Sequence, residues 1–366
     1  MTRPALTRVS EVRMESVGKR RGAGWIVRDV TISIRPGELY TLLGPPGAGK
    51  TAILRMVAGL DAPDAGRIFI DDELVDPVPP GRRNVGMVFA QSSLWPHLTV
   101  FDNVAFGLRV RGHSTDVVSQ KVKAVLARMG LDGLEGRRPS DLSSGQPERV
   151  ALARALVVEP RLLLLDEPLG RLDPALRSSM GLELMGRQRE AGITTLWATR
   201  DRVEALTIAT RIGVLSGGAV IQEGKPEEIY WQPRSRSVAE LVGAANLIPV
   251  RVVELRPVGV VVETAGGAQL PVAAGGHTWE IGQQGLLCLR PEALAVEESA
   301  LAPGGIAGTV ASMAFEGPRQ RYEIDIAGGL LRLETVTSAR LGRSFKPGDE
   351  VKVEVLPETS VLLPDD

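Results

Sequence analysis

Between residues 38 and 218, short apolar runs alternate with stretches whose apolar positions recur every three or four residues. The run "ELYTLL" leads into a Gly-rich turn and then "TAILRMVAGL". "RLLLLDEP" is followed by "PALRSSMGLELMGRQREAG", and "TTLWAT" by "RVEALTIA", before "RIGVLSGG" closes the series. Runs apolar at every position suit strands covered on both faces. Their alternation with helical patterns predicts an α/β domain built on a mainly parallel sheet. From about 95 to 160 the pattern is mostly helical, as in "STDVVSQKVKAVLARMG".

The texture changes near residue 240. "IPVRVVELRPVGVVVETAGGAQLPVAA", "GLLCLRP", "RYEIDIAGGLLRLETV" and "DEVKVEVLP" are short β-rich runs broken by Gly and Pro. They predict a small all-β domain of barrel or OB-like type over 241–366, with a hairpin around Gly328-Gly329. "WQPRSRSVAELVG" reads as the link from the first domain, 1–240.

Composition narrows the class. A chain of 366 residues is too long for one core. Lys and Arg total 43 against 44 Asp and Glu, a net charge of −1, which argues against a nucleic-acid-binding field. The single cysteine, Cys288, excludes an internal disulfide and suits a reducing cytoplasm. No apolar run approaches the ~18 residues of a membrane span. "MTRPALTRVSEVRM" lacks the apolar core of an export signal.

The chemistry starts at "GPPGAGKT", Gly44–Thr51, which matches G-x-x-x-x-G-K-[ST] between a strand pattern and a helix pattern. Gly44, Pro45, Gly47, Ala48 and Gly49 form a loop whose backbone N–H groups close around phosphate oxygens, with a helix N-terminus aimed at them. Lys50 reaches the β- and γ-phosphates, and the Thr51 hydroxyl suits Mg²⁺. At the end of "RLLLLDEP", Asp166 and Glu167 stand side by side. Adjacent carboxylates at a buried strand end need solvent or a metal. Asp166 suits Mg²⁺ and Glu167 suits a general base polarising the attacking water. In "DLSSGQPERVALARAL", Ser143 is expected to cap a helix with Pro147 in its first turn, a further anion site.

"GPPGAGKT", "LSSGQ…RVALARAL", "LLLLDEP" and "LGRLD", in that order, resemble the ATP-binding cassette (ABC) subunits of importers, and the likeness runs over nearly the whole chain. The resemblance implies a head-to-tail dimer with ATP between the Gly-rich loop of one subunit and the Leu-Ser-Gly-Gly-Gln segment of the other. Ser143, Gly145 and Gln146 would then face the partner's γ-phosphate, with Asp173 at the dimer interface. It also implies ATP and Mg²⁺ as ligands, two permease subunits or one fused permease in the inner membrane, an external solute-binding protein acting indirectly, and a position on the membrane's inner face. "LVGAANLIPV", "LRPEAL" and "GTVASMAFEGPRQRYEID" resemble the family's TOBE-type regulatory domain in polyamine, iron and phosphonate importers, with sugar importers less similar. "SLWPHLTVFDNVAFGL", which includes His97, resembles the segment that docks on a permease.

Departures from that pattern cluster on one function. The family's Thr-His-Asp is Thr199-Arg200-Asp201 here, and His97, His113 and His277 lie elsewhere. Arginine donates and stays charged, so it pairs with phosphate but relays no proton. Val-Phe-Gln becomes Val88-Phe89-Ala90, with Gln91 one place later. Ser144 replaces a glycine, and Pro147 and Glu148 follow Gln146. Arg21 stands where an adenine-stacking aromatic is expected, with Trp25 nearby as a substitute or as a surface residue packed on the β-sheet. By the dimer geometry that the resemblance implies, Arg200, Ala90 and Glu167 act in the chain's own ATP site, whereas Ser144 and Pro147 act in the partner's.

The reading is an ATPase subunit energising solute import, with its own hydrolysis site weakened and a second cassette subunit as partner. The alternatives are a fully active homodimeric importer ATPase and an ATP-binding regulatory protein outside transport.

Overall fold

The structure, a computed structural model, describes residues 10–90, 93–298, 305–336 and 345–365. Gln91 lies outside the described residues. The chain divides into two compact units, Met1–Pro226 and Glu227–Asp366.

In the first unit the strands are β1 (Val12–Arg21), β2 (Gly24–Ile34), β3 (Leu39–Leu43), β4 (Ala65–Ile70), β5 (Glu73–Leu74), β6 (Val85–Val88), β7 (Leu162–Asp166), β8 (Thr194–Thr199), β9 (Arg211–Ser216) and β10 (Ala219–Gly224). The helices are α1 (Lys50–Ala58), α2 (Val100–Val110), α3 (Thr115–Arg128), α4 (Gln146–Leu156), α5 (Pro174–Ala191) and α6 (Arg202–Ile208). A six-stranded sheet has the order β10-β9-β3-β8-β7-β6. Its pairings are parallel apart from the β9–β10 hairpin. A second, antiparallel sheet has the order β2-β1-β4-β5.

The leucine run of β7 shows why the sequence reads as it does. Leu162 and Leu164 pack in a core with α1 and the antiparallel sheet, and Leu163 and Leu165 pack in a separate core with α2, α3 and α4. Every one of the four is buried, at about 2 kcal/mol of transfer free energy each. A polar residue anywhere in the run would face a core, so the run is continuous rather than alternating.

In the second unit come α7 (Pro226–Trp231), α8 (Arg236–Val242), then β11 (Asn246–Leu255), β12 (Val260–Thr264), β13 (Gln269–Val272), β14 (Gln284–Leu289), β15 (Leu294–Glu298), β16 (Ile306–Phe315), β17 (Arg319–Ile326), β18 (Gly329–Val336), β19 (Glu350–Val355) and β20 (Ser360–Leu363). They form two antiparallel five-stranded sheets, β13-β12-β11-β14-β20 and β15-β19-β16-β17-β18. Val250, Val262 and Leu287 of one sheet share a core with Tyr322, Ile324 and Leu333 of the other. Alternation on β17 puts Tyr322 and Ile324 inside, while Arg321 and Asp325 face out. The β17–β18 turn is Ala327-Gly328, one residue earlier than the Gly-Gly pair suggested.

The division falls ahead of residue 240, where the composition shift placed it. Arg290 explains the difference. Its guanidinium is buried and donates to the carbonyls of Tyr230, Ala239 and Ala244. One side chain thus satisfies the carbonyl ends of α7 and α8, which ties both helices to the end of β14.

Candidate functional site

Three strands of the parallel sheet end side by side, and their carboxyl ends build the site. Leu43 of β3 lies opposite Thr199 of β8, and Ala198 of β8 lies opposite Asp166 of β7. Two hydrogen bonds carry the pairing past the strands: Gly44 N–H donates to Thr199 O at 3.4 Å, and Glu167 N–H to Ala198 O at 2.8 Å. Residues far apart in sequence, Gly44, Glu167 and Arg200, therefore meet at one edge, where open α/β sheets bind ligands.

The Gly-rich loop runs from β3 into α1. Gly49 has φ of +102°, and a Cβ there would stand 2.5 Å from the Ile26 carbonyl oxygen, so only glycine fits. Helix α1 begins with no side-chain cap and no acidic residue in its first turn. Its leading N–H groups are thus free for an anion. Lys50 is buried, and its ammonium donates to the carbonyls of Gly44 at 2.7 Å and Pro45 at 3.0 Å, folding over the loop that would hold phosphate. Burial lowers its pKa, with the Glu167 and Asp166 carboxylates pushing the other way.

The Thr51 hydroxyl donates to Asp166 Oδ1 at 3.0 Å. Burial raises the Asp166 pKa, with the Glu167 carboxylate adding to it, against that hydrogen bond and the pull of Lys50 and Arg55. The hydroxyl and the carboxylate are hard oxygen donors and fit Mg²⁺. Glu167 follows with φ of +43°, a backbone conformation costly for a residue with a side chain. Its Oε2 lies 3.4 Å from Nε of Arg200.

Arg177, which the sequence reading missed, braces this edge. It stands one helical turn past Asp173, the N-cap of α5. Its guanidinium pairs with Asp201 and donates to Leu172 O at 2.9 Å. The turn after Arg200 is thereby tied to the turn before Asp173. Spacing gave one signal: Asp173 and Arg177 are four apart on a helix, so both project from one face.

Behind Arg200, Thr199 donates to the buried Glu204 carboxylate at 2.7 Å. Burial pushes the Glu204 pKa up to about 7 from an ordinary 4.5. The unfolded chain releases this proton near 4.5 and the folded chain near 7, so stability falls across that interval and is level above it. Glu204→Gln is therefore expected to stabilise the fold at pH 8 by about 2 kcal/mol, and far less at pH 5. Thermal unfolding at the two pH values checks this.

Ser143 does not cap a helix. Helix α4 begins at Gln146, and its N-cap is Gly145, with φ of +83°. The Gln146 side chain instead accepts from the Ser143 N–H at 2.8 Å, which pins the loop. Pro147 does sit in the first turn. Ser143, Gly145, Gln146 and Asp173 make no hydrogen bond or ion pair to the Gly-rich loop among the described residues.

Residues 27–170 match the ABC transporter family, and residues 287–363 match the TOBE domain. The spermidine/putrescine import ATP-binding protein of Methylococcus capsulatus is 42% identical over 366 residues, covering 99% of this chain and 94% of that protein. The chain belongs to the ABC transporter family. An Fe(3+) ions import ATP-binding protein of Rhizobium etli is 40% identical over 93% of this chain and 94% of its own length. Among solved structures, the dimeric ATP-binding cassette MJ0796 in a post-hydrolysis state, bound to ADP and Pi, is similar with a TM-score of 0.54 and 29% identity, over 59% of this chain and 98% of that one. This ABC protein is accordingly an ATP-binding ATPase with a C-terminal TOBE domain, as its sequence motifs implied.

Within the cassette, Trp25 lies across the strand pair from Arg20, whose guanidinium sits 4.3 Å from the ring centre. The ring rests on Gly18, where a Cβ would come within 2.7 Å of it. Trp25 is therefore packed on the β-sheet, with 40% of its surface exposed.

Proposed function

We propose that this cassette is the ATP-binding subunit of an importer, peripheral on the inner face of the cell membrane, with its own hydrolysis held low and a second cassette subunit as partner. The observation that carries the proposal is the Arg200–Glu167 ion pair, 3.4 Å between Nε and Oε2. In hydrolysis, water attacks the γ-phosphorus, the bond to the β-phosphate oxygen breaks, and Glu167 takes the water's proton. The pair engages the carboxylate oxygen that would take that proton, and arginine has no lone pair with which to hold the water. Lys50 and the α1 N-terminus bind phosphate, so binding outlasts turnover. Thr51 and Asp166 would hold Mg²⁺, which would supply neutralising charge for the phosphates.

A head-to-tail dimer would complete the nucleotide site. Ser143, Gly145 and Gln146 face the partner's nucleotide, and Asp173 lies at the interface. Two permease subunits, or one fused permease, fit the segment 93–110. Asn103 is fully buried there and bonds Trp95, Leu98 and Thr99, so the loop is held as a surface. Phe106 and Val110 are 46% and 72% exposed on α2 beside it. Among the described residues no helix is long and apolar enough to cross a membrane, which suits a docked subunit. Relatives named for a polyamine and for Fe(3+) match at 42% and 40% identity. The solute is then chosen by the permease and an external binding protein.

The experiment is ATP hydrolysis by the purified chain, alone and with an intact second cassette and the permease. Slow turnover alone and ATP-dependent mixed dimers are expected. ATP-dependent homodimers with fast turnover, abolished by Glu167→Gln, would establish the homodimeric reading instead.

A further inference from the structure

We infer that the pocket between α5 and α6 is a binding site for a small organic cation, a primary alkylammonium whose charge meets Glu204 and whose short chain lies on the apolar walls. The pocket is separate from the ATP site: neither the Gly-rich loop nor Asp166 nor Glu167 lines it. The inference therefore stands apart from the function proposed above.

Helical spacing makes the walls. Arg177 and Gly181 of α5 are four apart, as are Val203 and Thr207, and Glu204 and Ile208, of α6, so each pair shares a face. All six line a volume of about 120 Å³. A cavity of ~150 Å³ holds one benzene-sized molecule, so this one takes a chain of about four carbons with its head group. Gly181 opens the floor. A Cβ there would already lie 3.5 Å from Ile208 Cγ2, in ordinary contact, so a longer side chain would fill the space. Val203 is 58% exposed, which leaves the pocket a way in.

Charge selects the ligand. Three ionisable side chains line the pocket: Arg177, Asp201 and Glu204. Arg177 and Asp201 pair with each other, and Leu172 O holds the second terminal nitrogen of Arg177. Glu204 is left over. It is 7% exposed, and the Thr199 hydroxyl donates to its Oε2 at 2.7 Å. Its Oε1 has no hydrogen-bond partner among the described residues, and the Trp197 indole N–H, which favours the charged form, completes no hydrogen bond to it. A buried carboxylate without a cation is costly, and a single positive charge in the pocket offsets that cost. Burial holds the Glu204 pKa up at about 7, with Asp201 adding to it and Thr199, Trp197 and Arg177 opposing. The cation binds the ionised form, so its affinity rises with pH through that value.

The test is equilibrium titration of the nucleotide-free full chain with two probes, n-butylammonium chloride and its neutral isostere 1-butanol, at constant ionic strength. At pH 8 the cation is expected to bind about ten-fold or more tightly than the alcohol. From pH 8 to pH 6 the ionised fraction of Glu204 falls from about nine-tenths to about one-tenth, so affinity for the cation falls about ten-fold while that for the alcohol holds. Glu204→Gln, with its fold checked by thermal unfolding, is expected to remove both the preference for the cation and the pH dependence. Thr207→Phe, at an exposed position on the pocket wall, is expected to exclude both probes. No saturable binding of n-butylammonium below about 10 mM, or binding that both variants leave within about two-fold, would overturn the site. Equal affinity of the wild type for the two probes at pH 8 would overturn the assignment of a cation.

Discussion

Lys50→Ala lowers ATP affinity by about 10- to 100-fold and leaves the fold standing. On the proposed reading the ammonium would reach phosphate through charge-assisted hydrogen bonds worth ~1.5–3 kcal/mol together, which sets that range. The fold survives because Lys50 is a cost to it as well as a contact. Only 5% of its surface is exposed, and burial depresses its pKa. Removing it orphans the inner carbonyl of Gly44 but also removes a desolvated charge, and the two effects offset each other. Titration with ATP beside thermal unfolding without nucleotide separates them. A melting temperature that drops along with affinity would mean that Lys50 is chiefly structural.

Arg83→Met has the larger effect on stability, about 3 kcal/mol. Arg83 is 2% exposed, and its guanidinium donates to the carbonyls of Met56, Val57 and Val78 at 2.8 to 2.9 Å. Two of these are end-of-helix carbonyls of α1, and of the two Met56 O also accepts from the N–H of Gly59 at 3.1 Å. Methionine fills much of the volume and satisfies none of them, at about 1–3 kcal/mol per buried polar group left unpaired. Gly59, just past α1, makes the room: a Cβ there would lie 2.5 Å from the Arg83 Nε. A loss of this size in a unit of about 200 residues lowers the melting temperature by roughly 6–12 °C. Because Arg83 caps the far end of the phosphate-loop helix, ATP affinity is expected to fall with it. A change in melting temperature under 2 °C would show that water replaces the guanidinium.

Arg83 also marks the limit of what the sequence discloses. The Gly-rich loop, the leucine run of β7 and the carboxylates that follow it are legible because each works through neighbours in the chain: glycine conformations, apolar continuity, adjacency. Arg83, Arg177 and Arg290 each act by reaching carbonyls or a carboxylate elsewhere in the fold, and apart from the spacing of Arg177 from Asp173 no local pattern marks them. The same distance effect shifted the unit boundary, since Arg290 draws α7 and α8 to the β-rich unit. Ser143 misled for another reason. Serine before a helix with proline in its first turn suits a cap, but Gly145 in a left-handed conformation starts α4, and Gln146 turns back to serve Ser143. Arg200 was legible as a substitution. Its partner was not, because pairing it with Glu167 needs the register of β7 against β8.

Arg200 is proposed to restrain hydrolysis in this site. The most direct measurement is steady-state ATP hydrolysis by the full chain, wild type against Arg200→His, at saturating ATP and Mg²⁺. Slow wild-type turnover is expected, with a gain of about ten-fold or more in the variant from one restored transition-state contact. Fast wild-type turnover that Arg200→His leaves unchanged and Glu167→Gln abolishes would contradict it.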